Sequence, residues 1–377
     1  MLLVPLLALA PLVPTALAWG AAGHEIVATI AQVHLYPETK EALLHILPPE
    51  AKGHLAPIAA WADQVRMRWR NGAMHYVNGI NDHPADHCEF GEDGWANEDV
   101  NVLTAIANFT GQVMNGKGDI PIRFLTHFVG DMHQPLHLTG RDKGGNGAMF
   151  LFEGRHRNLH SVWDSGILTK NIRELSNYTT PLPSKQIESA LLGAIFDPYV
   201  RFILWEGMRG WWSNSIEGWL ACPAGGDPYP HSSVSNIPAP DLWLNTVKGY
   251  TASALKLLPS PLSAFLAEMI PLQAVEGFSN DLLALHPTNV KASSRAPFPA
   301  CPYTWAKPLH KLNCESAWPK EYTGSPGSPL IELDTDVYLG KLARDNTMEM
   351  LLAMGGVRLA HLLNTALSGK EGVYLAY

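Results

Sequence analysis

The chain has 377 residues, of which 46% are hydrophobic and 16% are charged, and its formal net charge is −8 at pH 7. This composition excludes a disordered chain and provides ample length for a large core, in one domain or two. It also excludes nucleic-acid binding through a generally basic surface, because such proteins carry an excess of lysine and arginine. Any contact with phosphate must therefore have another source.

Residues 1–18 predict a secretory signal peptide. The first 17 residues are almost wholly apolar, and they lead into Ala16, Leu17 and Ala18, the small–x–small pattern after which signal peptidase cleaves. A membrane anchor is the alternative, but prolines interrupt the stretch, which is short for a bilayer span of about 20 residues. We expect a secreted, monomeric protein without a membrane anchor, whose residues 19–377 form a single domain.

Cleavage after Ala18 would give Trp19 a free α-amine, five residues before His24. An α-amine titrates near pH 8, so a metal ion can displace its proton at modest cost. The amine, the neighbouring carbonyl and the imidazole are together predicted to form part of a metal site.

Apolar residues recur at intervals of three and four along much of the remaining chain, which predicts a mainly α protein. A strand-like run covers residues 148–152, and Gly154 permits a turn into a small β-hairpin. Pro135 is expected to end the helix that carries His127 and Asp131. The predicted helices span residues 23–35, 38–47, 100–114, 120–132, 196–219 and 338–367.

Residues 223–300 differ from the rest and are predicted to be an insertion. Both ends are rich in Pro, Gly, Ser and Asn, and an amphipathic stretch, 247–258, lies between them. Cys222 and Cys301 flank the segment, so a disulfide between them would limit its closure entropy.

The remaining cysteines, Cys88 and Cys314, would then pair, although four cysteines allow three pairings and the other two stay open. An even cysteine count agrees with a secreted chain. So do the glycosylation sequons at Asn108 and Asn177, although sequons also arise by chance.

Histidines and carboxylates with metal-ligand spacing are concentrated in the first half of the chain. A His-x-x-x-Asp pair places both side chains on one helix face, and histidine and carboxylate are the ligands that zinc accepts when thiolate is absent. One such pair alone is more often a core histidine or a surface ion pair. Two pairs with further candidates nearby favour a metal centre, since burying so many ionisable groups without a cation is costly. The candidates are Asp63, His75, His127, Asp131, His137, His160 and Asp164.

Seven segments of the chain carry a combined order and spacing of motifs: 19–24 (WGAAGH), 61–66 (WADQVR), 75–78 (HYVN), 124–137 (FLTHFVGDMHQPLH), 144–146 (GGN), 158–164 (NLHSVWD) and 356–364 (GVRLAHLLN). Together they resemble the zinc-dependent single-strand nucleases of the S1/P1 type, which are distant relatives of the bacterial zinc phospholipases C. The resemblance covers most of the chain outside 223–300. It implies a multi-helix, nuclease-like bundle with a small hairpin, and a catalytic nuclease domain over residues 19–377.

The resemblance implies three zinc ions. The first would be held by Asp63, His75, His127 and Asp131. The second would be held by the Trp19 amine and carbonyl, by His24 and by Asp131, which would bridge the two ions. The third would be held by His137, His160 and Asp164, with positions left open for water or substrate.

The activity implied is hydrolysis of single-stranded DNA and RNA to 5′-mononucleotides by a metal-activated hydroxide that attacks phosphorus, together with 3′-nucleotidase activity on 3′-mononucleotides. Asp63 would orient the attacking group, and Arg66, one turn later, would stabilise charge on the phosphoryl oxygens. Tyr76 would stack on the base and Asn78 would contact its edge. Asn146, after two glycines, would also touch the nucleotide.

Two other functions share these metal ligands. A zinc phospholipase C or phosphomonoesterase would act on lipid headgroups or other phosphate esters, and it would need an exposed apolar or lipid-facing surface. A non-catalytic secreted protein would use zinc only to fold, but structural sites close their coordination shell, whereas the third predicted site has three protein ligands. Tyr76 beside His75 favours the nuclease.

Overall fold

The computed structural model describes residues 19–178, 185–229, 298–325 and 327–375, which lie in one compact unit formed by residues 1–230 and 296–377. The predicted signal peptide and nearly all of the predicted insertion fall outside the described residues. The helices are α1 (Ala21–Val33), α2 (Pro37–Ile46), α3 (Trp61–Gln64), α4 (Arg66–Trp69), α5 (Val102–Met114), α6 (Asp119–Met132), α7 (Leu159–Ser161), α8 (Ile167–Glu174), α9 (Lys185–Ala190), α10 (Asp197–Phe202), α11 (Ile216–Leu220), α12 (Pro302–His310), α13 (Leu339–Arg344) and α14 (Thr347–Ser368).

Two further kinds of helical turn connect these elements. Short 3₁₀ turns cover Pro49–Ala51, Ala56–Ile58, Gly72–His75 and Pro135–Leu138, and π-helical turns cover Val162–Gly166, Ile203–Trp211 and Asn313–Ala317. The strands β1 (Met149–Phe152) and β2 (Arg155–Asn158) form an antiparallel hairpin. The mainly α fold with a small hairpin is thus confirmed.

Helix α14 forms the centre of the core. It packs against α1, α2, α5, α6 and α11, and most of its side chains are buried. Of the described helices, α14 is the one that is long and apolar enough to cross a membrane, with a mean hydropathy of 1.3 over its most apolar 18 residues. However, 78% of that 18-residue stretch is buried inside the protein. Its role here is to support α1 and α6, which carry ligand candidates.

Two glycines bring α14 close to α1. A Cβ added at Gly356 would lie 2.6 Å from Ile30 Cβ and 3.2 Å from the Val27 carbonyl oxygen, and one added at Gly355 would lie 3.3 Å from Val27 Cγ1. The Val27 carbonyl and the branched Ile30 side chain cannot move away from a Cβ at Gly356, so this position requires a residue without a side chain.

We expect Gly356→Ala to lower the free energy of unfolding by about 2 kcal/mol, because overpacking costs about 1–3 kcal/mol and outweighs the gain of ~1 kcal/mol in helix propensity. Denaturant titration measures the change. Gly111→Ala in α5 is the control, since nothing lies within 4 Å of its added Cβ, and it should stabilise the protein slightly. Equal stability of Gly356→Ala and wild type would contradict this account of the packing.

Two of the predicted helices are each interrupted in the structure, so the prediction of one continuous helix is wrong in both cases. The span 196–219 is broken at Trp212–Ser215, where the Trp212 amide bonds to the Gly207 carbonyl and its ring covers Gly207. The span 338–367 is broken because Asn346 adopts a left-handed conformation with φ 47° between α13 and α14. Apolar periodicity continues across both breaks, so the sequence pattern does not reveal them.

Both disulfides of the predicted pairing are present. Cys88 is bonded to Cys314, with 6.0 Å between their Cα atoms, and Cys222 is bonded to Cys301, with 5.7 Å. The first bond ties the loop after the 3₁₀ turn at Gly72–His75 to the segment after α12. The second joins the two chain positions that flank the predicted insertion, which itself stays a prediction.

Candidate metal centre

Helix α6 presents His127 and Asp131 on one buried face, as their spacing of four predicts. The helix ends at Met132, and Gln134 is extended immediately before Pro135, so the chain turns and returns His137 towards the same region. The other ligand candidates come from α1 (His24), α3 (Asp63), the turn Gly72–His75 (His75), α7 (His160) and the π-helical turn that follows α7 (Asp164).

The two carboxylate oxygens of Asp131 face different partners. Oδ2 lies 2.9 Å from His75 Nδ1 and 3.4 Å from His127 Nε2, whereas Oδ1 lies 3.3 Å from His24 Nε2. Asp63 completes the first set, with its Oδ1 atom 3.7 Å from His75 Nδ1 and 3.6 Å from His127 Nε2. The placement of the two Asp131 oxygens against different histidines is the arrangement that a carboxylate shared by two ions requires.

A second group of ligand candidates lies beside the first. His137, His160 and Asp164 each offer an atom within 4.8 Å of the others, and His160 Nε2 lies 3.2 Å from Asp164 Oδ2. The Gln134 amide donates to Asp164 Oδ1 over 2.6 Å, and its own carbonyl accepts the Leu136 amide. Gln134 therefore fixes the carboxylate so that Oδ2 remains directed at the group.

Backbone carbonyls fix the orientation of three of the histidines. The Nδ1 atoms of His127, His137 and His160 lie 2.8, 2.5 and 2.6 Å from carbonyl oxygens of Ala59, His75 and Gly144. A proton on each Nδ1 leaves Nε2 as the lone-pair donor, the arrangement typical of metal-binding histidine.

Several buried polar atoms of these side chains have no hydrogen-bond partner in the described part of the chain. They are both ring nitrogens of His24, Nε2 of His75 and His137, Asp63 Oδ1 and Asp131 Oδ1. Burial lowers the pKa of His24, His75 and His137 well below the usual value and raises the pKa of Asp131 and Asp164 well above it. Unpaired lone pairs of both types, converging in a desolvated pocket, fit divalent cations and have no other evident stabilisation.

The start of the described chain is fixed against this pocket. Trp19 is fully buried, and the Gly20 amide donates to the Asp164 carbonyl over 2.9 Å. A Cβ at Gly23 would lie 2.9 Å from Trp19 Cβ. The chain at Trp19 and Gly20 is therefore held between α1, which carries His24, and the π-helical turn that carries Asp164.

Gly130 has a role that sequence reasoning missed. A Cβ at this position would lie 2.7 Å from His24 Nδ1, so a larger residue in α6 would displace the imidazole. Gln134 was missed as well. The available signals were a glycine directly before a ligand candidate and a Gln-Pro pair between two others, and neither is specific by itself.

The remaining predicted residues lie around the pocket to different degrees. Burial raises the pKa of Asp63 and Asp131, and the positive charge of Arg66 opposes part of that shift. Tyr76 is half-buried. The Asn78 amide, in its hydrogen-bonded orientation, donates to carbonyls of Thr139 and Val77. Asn146 is turned back onto its own loop, where it donates to the Lys143 carbonyl.

Asp82, Cys88 and His310 form another cluster with metal-ligand chemistry. Cys88 is in a disulfide, and Asp82 is hydrogen bonded to His310, Thr139 and the Glu89 amide. These groups satisfy one another, so we assign the cluster a structural role.

Comparison with known proteins places this pocket in a family. A model of the S1/P1 nuclease family matches residues 19–214, a range that includes every ligand candidate of the pocket, from Trp19 to Asp164. The chain belongs to the S1/P1 nuclease family. Membership makes it a nuclease, a hydrolase that acts on nucleic acids, and S1/P1 nucleases are metal-dependent.

Individual relatives agree with this assignment. The chain is 30% identical over 265 residues to Endonuclease 4 of Arabidopsis thaliana, covering 65% of this chain and 82% of that protein. It is 36% identical over 156 residues to Nuclease P1 of Penicillium citrinum, covering 39% of this chain and 57% of that protein. It is 32% identical over 156 residues to Nuclease S1 of Aspergillus oryzae, covering 40% and 54%.

Proposed function

We propose that this chain is a secreted, zinc-dependent endonuclease that hydrolyses single-stranded DNA and RNA to 5′-mononucleotides and also removes phosphate from 3′-mononucleotides. The observation that carries the proposal is Asp131, whose two oxygens face His75 and His127 on one side and His24 on the other. Family membership supports nucleic acid as the substrate class.

Three ions would be held by the residues that converge in the pocket. Asp63, His75, His127 and Asp131 would hold the first ion. The Trp19 amine and carbonyl, His24 and Asp131 would hold the second, and His137, His160 and Asp164 the third. When bound, zinc supplies a Lewis acid that makes water nucleophilic near neutral pH and offsets charge on the phosphoryl group.

The chain's own residues would position the substrate. Asp63 would orient the attacking water in line with the scissile bond as well as bind the first ion through Oδ1, which faces His75 and His127. Arg66 would pair with non-bridging phosphoryl oxygens as their negative charge increases. Tyr76 would stack on the adjacent base. Asn78 and Asn146 would contact the base edge only after releasing the backbone carbonyls to which their side chains donate. Stacking needs an unpaired base, which accounts for a single-strand preference.

Secretion is supported by the two disulfides, which persist in oxidising compartments. If residues 1–18 are removed, mass spectrometry of the exported protein will find Trp19 at its N-terminus. Asn177 is exposed, whereas Asn108 is half-buried within α5, so we expect a glycan at Asn177 more readily than at Asn108.

The test of activity compares four substrates, which are single-stranded DNA, RNA, a 3′-mononucleotide and phosphatidylcholine. We expect hydrolysis of the first three, loss of activity with chelator and recovery on adding zinc. The purified protein should contain three zinc ions per chain by elemental analysis, and it should elute as a monomer. Hydrolysis of lipid without nucleic acid, or full activity in a metal-free protein, would refute the proposal.

A further inference from the structure

The segment between Asp63 and His75 carries a cluster of positive charge in an acidic protein. Residues 66–70, which we call the basic ridge, read Arg-Met-Arg-Trp-Arg, whereas the whole chain has a net charge of −8. Both ends of the segment are fixed by ligand candidates, Asp63 before the ridge and His75 after it. Because the ridge belongs to a short segment that connects these two ligand candidates, it lies at the edge of the proposed catalytic pocket.

The ridge is anchored by its tryptophan. Trp69 packs edge-on against Trp61 and Phe124, with ring centroids 5.6 and 5.7 Å apart, and Trp61 contacts Phe124 at 5.1 Å. The guanidinium of Arg123 lies 5.0 Å from the Trp61 ring centroid. This aromatic cluster gives α4 and the ridge a defined position relative to α6, which carries His127 and Asp131.

The other ridge side chains divide into two sets. Arg66 lies against the turn Gly72–His75, which carries the ligand candidate His75, with its Nε atom 3.3 Å from where a Cβ on Gly72 would be. Arg68 and Arg70 are exposed, and Met67 is 87% exposed. Neither Arg68 nor Arg70 has an ion pair or hydrogen bond within the described residues. Arg70 also adopts a left-handed conformation, φ 49°, which usually favours glycine.

The exposed side chains of Arg68, Arg70 and Met67 make no contact with the described residues that would account for them in the fold. Their positive charge and apolar surface are complementary to a single strand of nucleic acid. An arginine guanidinium forms paired hydrogen bonds with phosphate oxygens, and an exposed thioether offers an apolar contact for a base or sugar. A strand whose scissile phosphate is beside Arg66 has further phosphates within reach of neighbouring residues on the same short segment.

We propose that the basic ridge binds the single-stranded nucleic acid beyond the scissile phosphate, with Arg68 and Arg70 each contacting a phosphate and Met67 contacting a base or sugar. The proposal rests on the proposed nuclease function and adds a subsite for strand length. The ridge favours long single strands over dinucleotides and makes their binding sensitive to salt.

The experiment uses full-length zinc-loaded enzyme and measures kcat/KM for a single-stranded oligonucleotide and for a dinucleotide, each over a range of salt concentrations. In Arg68→Gln/Arg70→Gln, we expect a lower ratio of oligonucleotide to dinucleotide kcat/KM than in wild type, through a higher oligonucleotide KM. The slope of log KM against log salt should fall by about 1.4, or about 0.7 for each lost phosphate contact on a single strand. Between 50 and 200 mM salt this corresponds to a difference of about 7-fold in KM.

Two further variants separate the ridge from general charge effects. Arg68→Lys/Arg70→Lys retains both charges and should retain most of the salt slope. Arg155→Gln/Arg344→Gln removes the same charge from exposed positions on the hairpin and α13, and it should leave the substrate ratio as in wild type.

An unchanged salt slope and substrate ratio in Arg68→Gln/Arg70→Gln would overturn the ridge proposal while leaving the nuclease function standing. An equal fall in Arg155→Gln/Arg344→Gln would also overturn it, since net charge alone would then explain the result. A wild-type enzyme that cleaves neither nucleic-acid substrate would instead overturn the proposed function, and the ridge proposal with it.

Discussion

Asp131→Asn is expected to abolish nuclease activity, with a fall in kcat/KM on the order of 10³-fold or more, because groups that act as a unit fail together. The carboxylate faces both His75 and His24, so its loss should weaken two ions at once. Elemental analysis should then find close to one zinc ion per chain, retained by His137, His160 and Asp164.

Asp119→Asn is the matched control, since it makes the same change in the first turn of the same helix and disrupts a half-buried i,i+4 ion pair with Arg123. An i,i+4 pair on a helix contributes about 0.3–0.5 kcal/mol, and Asp119 is not a ligand candidate, so activity and zinc content should stay close to wild type. A full zinc complement in Asp131→Asn would show that the carboxylate does not bridge two ions.

An extra residue retained before Trp19 is expected to reduce activity on the order of 10²-fold or more by removing the α-amine from the second ion. Trp19 is fully buried, and the following amide is bonded to the Asp164 carbonyl. An added residue would convert the proposed amine ligand into an amide nitrogen, which has no lone pair to offer a metal ion. One zinc ion per chain should be lost or greatly weakened.

The control carries the same extra residue at the C-terminus and should behave like wild type. Recovery of activity after an aminopeptidase exposes Trp19 would strengthen the assignment. Full activity and three zinc ions in the extended protein would mean that the amine is not a ligand, although the other ligands could still hold their ions.

The sequence predicted the helices whose apolar stripe is regular and whose ends are marked. Helix α6 is one example, because it ends at Met132, three residues before Pro135. The breaks at Trp212–Ser215 and Asn346 were missed because they depend on tertiary contacts, such as the Trp212 ring against Gly207, and on a left-handed residue that asparagine adopts without any sequence mark.

The ligand candidates of the site could be predicted because their spacing in the sequence already fixes part of their geometry. His127 and Asp131, four residues apart in a helix, must share a face whatever the rest of the fold does. What the sequence could not show was which oxygen of Asp131 faces which histidine, or that Gln134 and the carbonyls of Ala59, His75 and Gly144 hold the ligands in place. Those partners come from separate elements and are brought together only by folding.

The Cys222–Cys301 bond holds two positions 79 residues apart in sequence at a Cα separation of 5.7 Å. A tight turn could span this Cα separation. The disulfide therefore keeps the two ends of the intervening segment adjacent, whatever the length of that segment. We expect that the length of this segment can change without moving α1, α6 or their ligands. The same junction offers protein engineers a place to graft a foreign domain onto the enzyme.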